Sequence, residues 1–139
     1  MWRSTVGMDL TESQRWGHYP AGPVCTISVL FQGSCDVLAA GAGSDPFSER
    51  QPAPRMSVMG PHSSPRSAFY GPDVEGVMLI FYPDALWAMT GVPPQTLGDQ
   101  VVDAHSVLPP ALLGACQRLC EAGDVDLGVQ RLFADLLPL

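Results

Sequence analysis

Gly60-Pro61-His62-Ser63-Ser64-Pro65-Arg66 gathers an imidazole, two hydroxyls and a guanidinium into one short stretch, and the phenols of Tyr70 and Tyr82 follow downstream. Two prolines fix φ near −65°, so this turn is stiff. A stiff turn beside a strand can hold Arg66 at the mouth of a pocket. There its planar fork of N–H donors suits an anionic small molecule. His62, Arg66, Tyr70 and Tyr82 are therefore the candidate ligand-binding residues. The bland alternative is a hairpin turn with Arg66 in a surface ion pair.

Other chemistries find less support. His18, His62 and His105 lie far apart, and no H-x-H or H-x-x-x-H spacing or nearby glutamate offers clustered metal ligands. Cys25, Cys35, Cys116 and Cys120 form no C-x-x-C pair. They read as buried, reduced thiols, with Cys116 and Cys120 on one helical face. There is no G-x-S-x-G, and Ser63 and Ser64 beside His62 reflect loop composition. Asp99 and Asp103 sit in a polar connection where solvated loop acids are expected. No G-x-G-x-x-G or Walker sequence is present. The expectation is a non-enzymatic protein with no catalytic residue, no metal and no cofactor.

Charge narrows the partners. Seven Arg, no Lys and 14 acids leave a net charge of −7. Nine of the acids and only two of the Arg fall after residue 70. A polyanion would be repelled there, so direct nucleic-acid contact is not expected, whereas a basic protein surface would be attracted. The first ten residues lack the apolar core of a secretion signal. The longest apolar run, Val77 to Tyr82, is far below the roughly 20 residues of a spanning helix. These features predict a cytoplasmic protein without membrane contact. With 139 residues, 46% of them apolar, one globular domain with an ordinary core is expected.

The elements that must position Arg66 follow from periodicity. Residues 1–23 read as an irregular lead-in, with Trp16 and Tyr19 docking onto the body. From Val24 to Phe31, Cys25, Ile27, Val29 and Phe31 alternate with Thr26, Ser28 and Leu30, which predicts a strand with one face turned inward. Gln32-Gly33-Ser34 turns the chain, and Cys35 to Ala40 reads as the returning strand of an antiparallel hairpin. Residues 41–54 are dense in Gly, Pro and Ser and read as a surface loop. Met56 to Gly60 and Arg66 to Tyr70 read as strands. Val77 to Tyr82 has the unbroken apolar character of a central strand covered on both faces.

After Tyr82 the pattern becomes helical. Pro83 suits a first turn, Asp84 complements the helix dipole, and Gly91 can close the helix. Pro93-Pro94 opens a second short turn. Pro109-Pro110 starts a helix with the stripe Leu112, Leu113, Cys116, Leu119 and Cys120. Asp126 is positioned to cap a last helix, with the stripe Val129, Leu132, Phe133, Leu136 and Leu137. The two stripes should pack as a helical hairpin. Residues 24–82 are thus mainly β and 83–139 mainly α. The fold class is α+β: an antiparallel sheet or partial barrel followed by a helical layer.

Several strings, in this order, carry a resemblance. They are Gln32-Gly33-Ser34-Cys35-Asp36-Val37-Leu38, Met59 to Pro65, Phe81-Tyr82-Pro83, Leu86 through Gly91-Val92-Pro93, Thr96 to Asp99, Val101 to Asp103, and Val107-Leu108. Together they resemble the N-terminal, cupin-like sensor domain of AraC-type bacterial transcription regulators. The resemblance spans about residues 24–139. Gln32 stands where the family usually has an acid, and the aromatic-rich opening of the family is weak in the first 20 residues.

The resemblance implies a partial cupin-like barrel that senses a small-molecule effector and forms a homodimer. It also implies a basic C-terminal helix-turn-helix domain, outside this chain, that binds the DNA. A free-standing cupin-like binding protein or enzyme is the alternative.

Overall fold

Alternation in the first strongly patterned segment organises the whole molecule. The computed structural model describes residues 2–6, 15–38 and 50–136. In β3 (Cys25–Gln32), Cys25, Ile27 and Val29 are fully buried on one face, while Thr26, Ser28 and Leu30 point to the other. Both edges of β3 are occupied, by β6 (Met56–Met59) and β8 (Val74–Phe81), each antiparallel. Ile27 lies opposite Val58 on one side and Leu79 on the other. A bulge interrupts the β3–β8 ladder between Leu30 and Gln32. Arg55 serves the carbonyls there: its Nη2 donates to Phe31 O at 2.8 Å and to Leu30 O at 3.3 Å.

β1 (Trp2–Val6) extends this sheet along β8, and β9 (Val101–Asp103) extends it along β6, giving the order β1-β8-β3-β6-β9. A second antiparallel sheet has the order β2-β7-β4-β5, built from β2 (Trp16–Tyr19), β7 (Arg66–Tyr70), β4 (Cys35–Leu38) and β5 (Arg50–Pro52). Among the described residues, no barrel closes between the two sheets.

The first sheet is covered on its other face by helices. α1 (Pro83–Thr90) begins at its proline and ends at Gly91, whose φ of 73° is the left-handed conformation that closes a helix. The Gly91 N–H returns to Trp87 O at 2.8 Å. Two 3-10 turns, Pro94–Leu97 and Ala104–Ser106, flank β9. α2 (Pro110–Glu121) and α3 (Val125–Leu136) pack against each other, joined at the surface by Arg118 Nη2 and Asp135 Oδ2 at 2.8 Å. Leu86, Leu112, Cys116, Leu119 and Leu132 meet Ile27, Val29, Val58 and Leu79 in one core. Burying each such aliphatic side chain contributes about 1.5–3 kcal/mol.

The α+β class, the antiparallel sheets and the helical layer agree with the sequence reading. Four expectations change. First, β3 and β4 do not form a hairpin. The edges of β3 already hold β6 and β8, so the chain crosses at Gly33-Ser34 into the other sheet, where β4 pairs with β7 and β5. Second, the lead-in contains two strands, each bonded to a partner that patterning over a window of residues cannot reveal. β5 likewise replaces part of the expected loop.

Third, β8 lies beside the centre, and its C-terminal end emerges from cover: Ile80 is 51% and Tyr82 76% exposed. Fourth, Asp124, not Asp126, caps α3, its Oδ1 accepting from Leu127 N at 3.1 Å. The expected strand end at 39–40, the loop residues 41–49 and Leu137 lie outside the described residues.

Candidate ligand cavity between the sheets

The two sheets face each other across a cavity of about 90 Å³. From the first sheet come Thr26, Ser28 and Leu30 on β3, Ser57 and Met59 on β6, and Gly76 and Met78 on β8. These are the alternate residues to those packed on the helices, so one period-two pattern serves two interfaces. The second sheet contributes Tyr19, Cys35, Val37, Arg66, Ala68 and Tyr70. Arg66, Ala68 and Tyr70 share one face of β7 by the same alternation, and Tyr19 stands directly opposite Arg66 in the β2–β7 register.

Most of the lining is apolar, and its polar groups are few and placed. Arg66 is only 7% exposed. Its Nε and Nη2 have no hydrogen-bond partner among the described residues, and neither has Oγ1 of Thr26, which is 4% exposed. Those three are the only such buried side-chain atoms among the described residues, and all belong to residues lining this cavity. Buried polar atoms normally find partners. The Tyr19 and Tyr70 hydroxyls hydrogen-bond to each other.

Burial sets the electrostatics. It lowers the Arg66 pKa, against the opposing field of the Asp99 carboxylate. It raises the Tyr19 and Tyr70 phenols. The Cys35 thiol is pushed up to about 12, by burial first and by the Asp36 charge second. At neutral pH the described lining therefore holds protonated phenols, a protonated thiol and the Arg66 cation.

The stiff turn does hold Arg66, with help from outside itself. His62 is buried; its Nδ1–H donates to Gly60 O at 2.8 Å. Its backbone forms a two-way bridge to Gly22, with N···O distances of 3.0 and 3.1 Å. Asp99 Oδ1 accepts from Ser63 N at 2.8 Å, and Oδ2 accepts from Ser63 Oγ at 2.7 Å. Those bonds hold the Asp99 carboxyl below its ordinary pKa. Gly60 lies against the backbone of Leu97: a Cβ there would sit 2.1 Å from the Leu97 carbonyl oxygen. No residue with a side chain fits that approach without moving the chain.

Of the four residues singled out from sequence, Arg66 and Tyr70 meet in the cavity. His62 is buried in the turn that leads to it, outside the lining. Tyr82 is displaced: it caps α1 through its backbone carbonyl, and its side chain is exposed. Thr26, Ser57, Tyr19 and Cys35 were not anticipated as lining residues. The small hydroxyl residues alternating with Cys25 and Ile27 were the available signal for the first two. Asp99 is a clamp on the turn, not only a solvated loop acid. Among the described residues, no three His, Cys, Asp or Glu side chains converge as metal ligands would. No described helix is long and apolar enough to cross a membrane.

Compared with known proteins, the chain matches no family model, no curated protein and no solved structure.

Proposed function

We propose that this chain is the effector-sensing and dimerising domain of an AraC-type transcription regulator, with no catalytic role of its own. A small molecule held between the two sheets biases how the domain meets a basic DNA-binding neighbour, a shift of population and not a chemical step. The observation that carries this reading is the buried, unpartnered edge of Arg66 in a mostly apolar cavity, an arrangement suited to recognition. The order of motifs from Gln32 to Leu108, which resembles that family, supplies the biological setting.

The helical layer supports the same reading through charge. Asp84, Glu121, Asp124 and Asp126 are all exposed there. They offer acidic charge to a basic partner, and Leu127 and Phe133 on α3, each 44% exposed, are available for a subunit contact.

A thermal-shift screen of metabolites on this chain tests the proposal. A ligand at a hundred times its Kd stabilises a fold by about 2.7 kcal/mol, which raises Tm by several degrees. A panel in which nothing shifts Tm removes the sensing role. Tight, salt-sensitive binding of duplex DNA by this chain alone would remove the division of labour.

A further inference from the structure

The unpartnered atoms of Arg66 specify the ligand more closely than "small molecule". Nε–H and the Nη2–H beside it lie along one edge of the guanidinium and point in parallel. That edge matches the two oxygens of a carboxylate in a bidentate pair. The nearby carboxylate of the chain itself is engaged elsewhere, since both oxygens of Asp99 are held by Ser63. Arg66 lines the cavity with Nε and Nη2 buried and without a hydrogen-bond partner among the described residues.

Three properties of the cavity narrow the class. First, Arg66 is the only cationic residue in its lining among the described residues, and a dianion would leave one negative charge unmatched in a weakly polarisable environment. Second, Leu30, Val37, Met59, Ala68, Val74 and Val101 offer apolar contact to the rest of the ligand. Third, about 90 Å³ is smaller than the roughly 150 Å³ cavity that accepts the six carbons of benzene, so the occupant has about four or five non-hydrogen atoms.

We propose that this cavity binds a short aliphatic monocarboxylate, acetate or propionate in size, with its carboxylate paired to Nε and Nη2 of Arg66 and its hydrocarbon end against Leu30, Val37 and Val74. Thr26 Oγ1 supplies a further hydrogen-bonding group on the opposite wall. The inference rests on the sensing role proposed above and adds the chemical class of the effector. With so few atoms, affinity is limited to the order of micromolar to millimolar Kd.

Calorimetric titration and thermal shift with acetate and propionate, their neutral amides and inorganic phosphate form the test, on the wild-type chain and on Arg66→Met and Arg66→Lys. The expected result is binding of the acids but not of the amides. Arg66→Lys, which keeps charge but loses the fork, should weaken the acids about tenfold, and Arg66→Met at least a hundredfold. Circular dichroism melts of both variants establish that they are folded. Amides binding as well as acids, a preference for phosphate, or an undiminished Arg66→Met would overturn the carboxylate class. A wider metabolite panel in which other compounds bind but no monocarboxylate does would overturn it while leaving the sensing role intact. No shift from any compound sinks both.

Discussion

Ser63 occupies both carboxylate oxygens of Asp99, through its backbone N–H at 2.8 Å and its hydroxyl at 2.7 Å. The pair ties the turn before β7 to the left-handed corner at Asp99, where φ is 57°. The same carboxylate acts on Arg66 through its charge, which opposes the effect of burial on the guanidinium pKa. Arg66 Nε and Nη2 stay buried without a hydrogen-bond partner among the described residues.

Arg66→Met should raise the stability of the ligand-free protein. Each buried donor without a partner costs about 1–3 kcal/mol, and a flexible thioether fills similar space without that penalty. Urea unfolding should show a midpoint moved upward by about 1–3 kcal/mol of stability at unchanged m value. A midpoint that falls would mean Arg66 is satisfied in the folded protein.

Gly60→Ala should be strongly destabilising for an exchange of one hydrogen for a methyl group. The new Cβ would sit 2.1 Å from Leu97 O and 2.5 Å from Leu97 C, and backbone cannot yield as a side chain tip can. A loss of at least about 2 kcal/mol is expected, in the range of severe overpacking. Melting within a degree of wild type would show that the 60–66 turn is looser than its contacts imply.

Asp99 governs the acid limb of stability. Its folded pKa lies below the ordinary 3.8, chiefly through the Ser63 bonds. The stabilisation is therefore complete above 3.8 and is lost as pH falls through the folded value. Asp99→Asn, which retains a tolerance for left-handed φ, should melt lower at neutral pH and decline less between pH 4 and pH 2. Parallel curves for the two proteins would refute the assignment.

The alkaline limb has the opposite sign. Cys35 is raised to about 12 and Cys116 to about 11, each by burial first, from an ordinary 9.0. Tyr19 and Tyr70 are raised from 10.0. The unfolded chain gives up these protons at lower pH than the folded one, so stability is full below 9 and falls as pH rises beyond it. Cys35 should also react with a disulfide reagent at pH 8 roughly two to three orders of magnitude more slowly in the native protein than in urea. Native labelling as fast as unfolded labelling would remove the burial argument.

Local chemistry was the legible part of this fold. Pro83 and Gly91 bound α1 because helix ends are set by residues at the ends themselves. Arg66 to Tyr70 emerged as a strand with its bounds intact for a similar reason, since prolines and glycines punctuate both sides. Pairing was not legible. The turn at Gly33-Ser34 suits a hairpin, yet what β3 pairs with depends on strands arriving from Met56 and Val74. Tyr82 illustrates the same limit: it belongs to an apolar run by sequence, but α1 begins at Pro83 and turns the chain away before its side chain is covered.

The cavity was half legible. Arg66 could be suspected from its place beside a stiff turn. The hydroxyls of Thr26 and Ser57 could not, because the face opposite a buried stripe reads equally well as facing solvent or a second sheet.

Successive strands alternate between the two sheets along most of the chain, and β4 with β5 is the only sequence-adjacent pair among the described residues. Almost nothing can be stitched together early. The strand β1 waits for β8, which is made some seventy residues later, so the first sheet is completed late. Acquisition of structure should be slow, in the millisecond-to-second regime of non-local β topologies. Throughout that interval the Val77–Phe81 segment lies open to neighbouring polypeptides, which makes chaperone demand and expression temperature the practical determinants of yield.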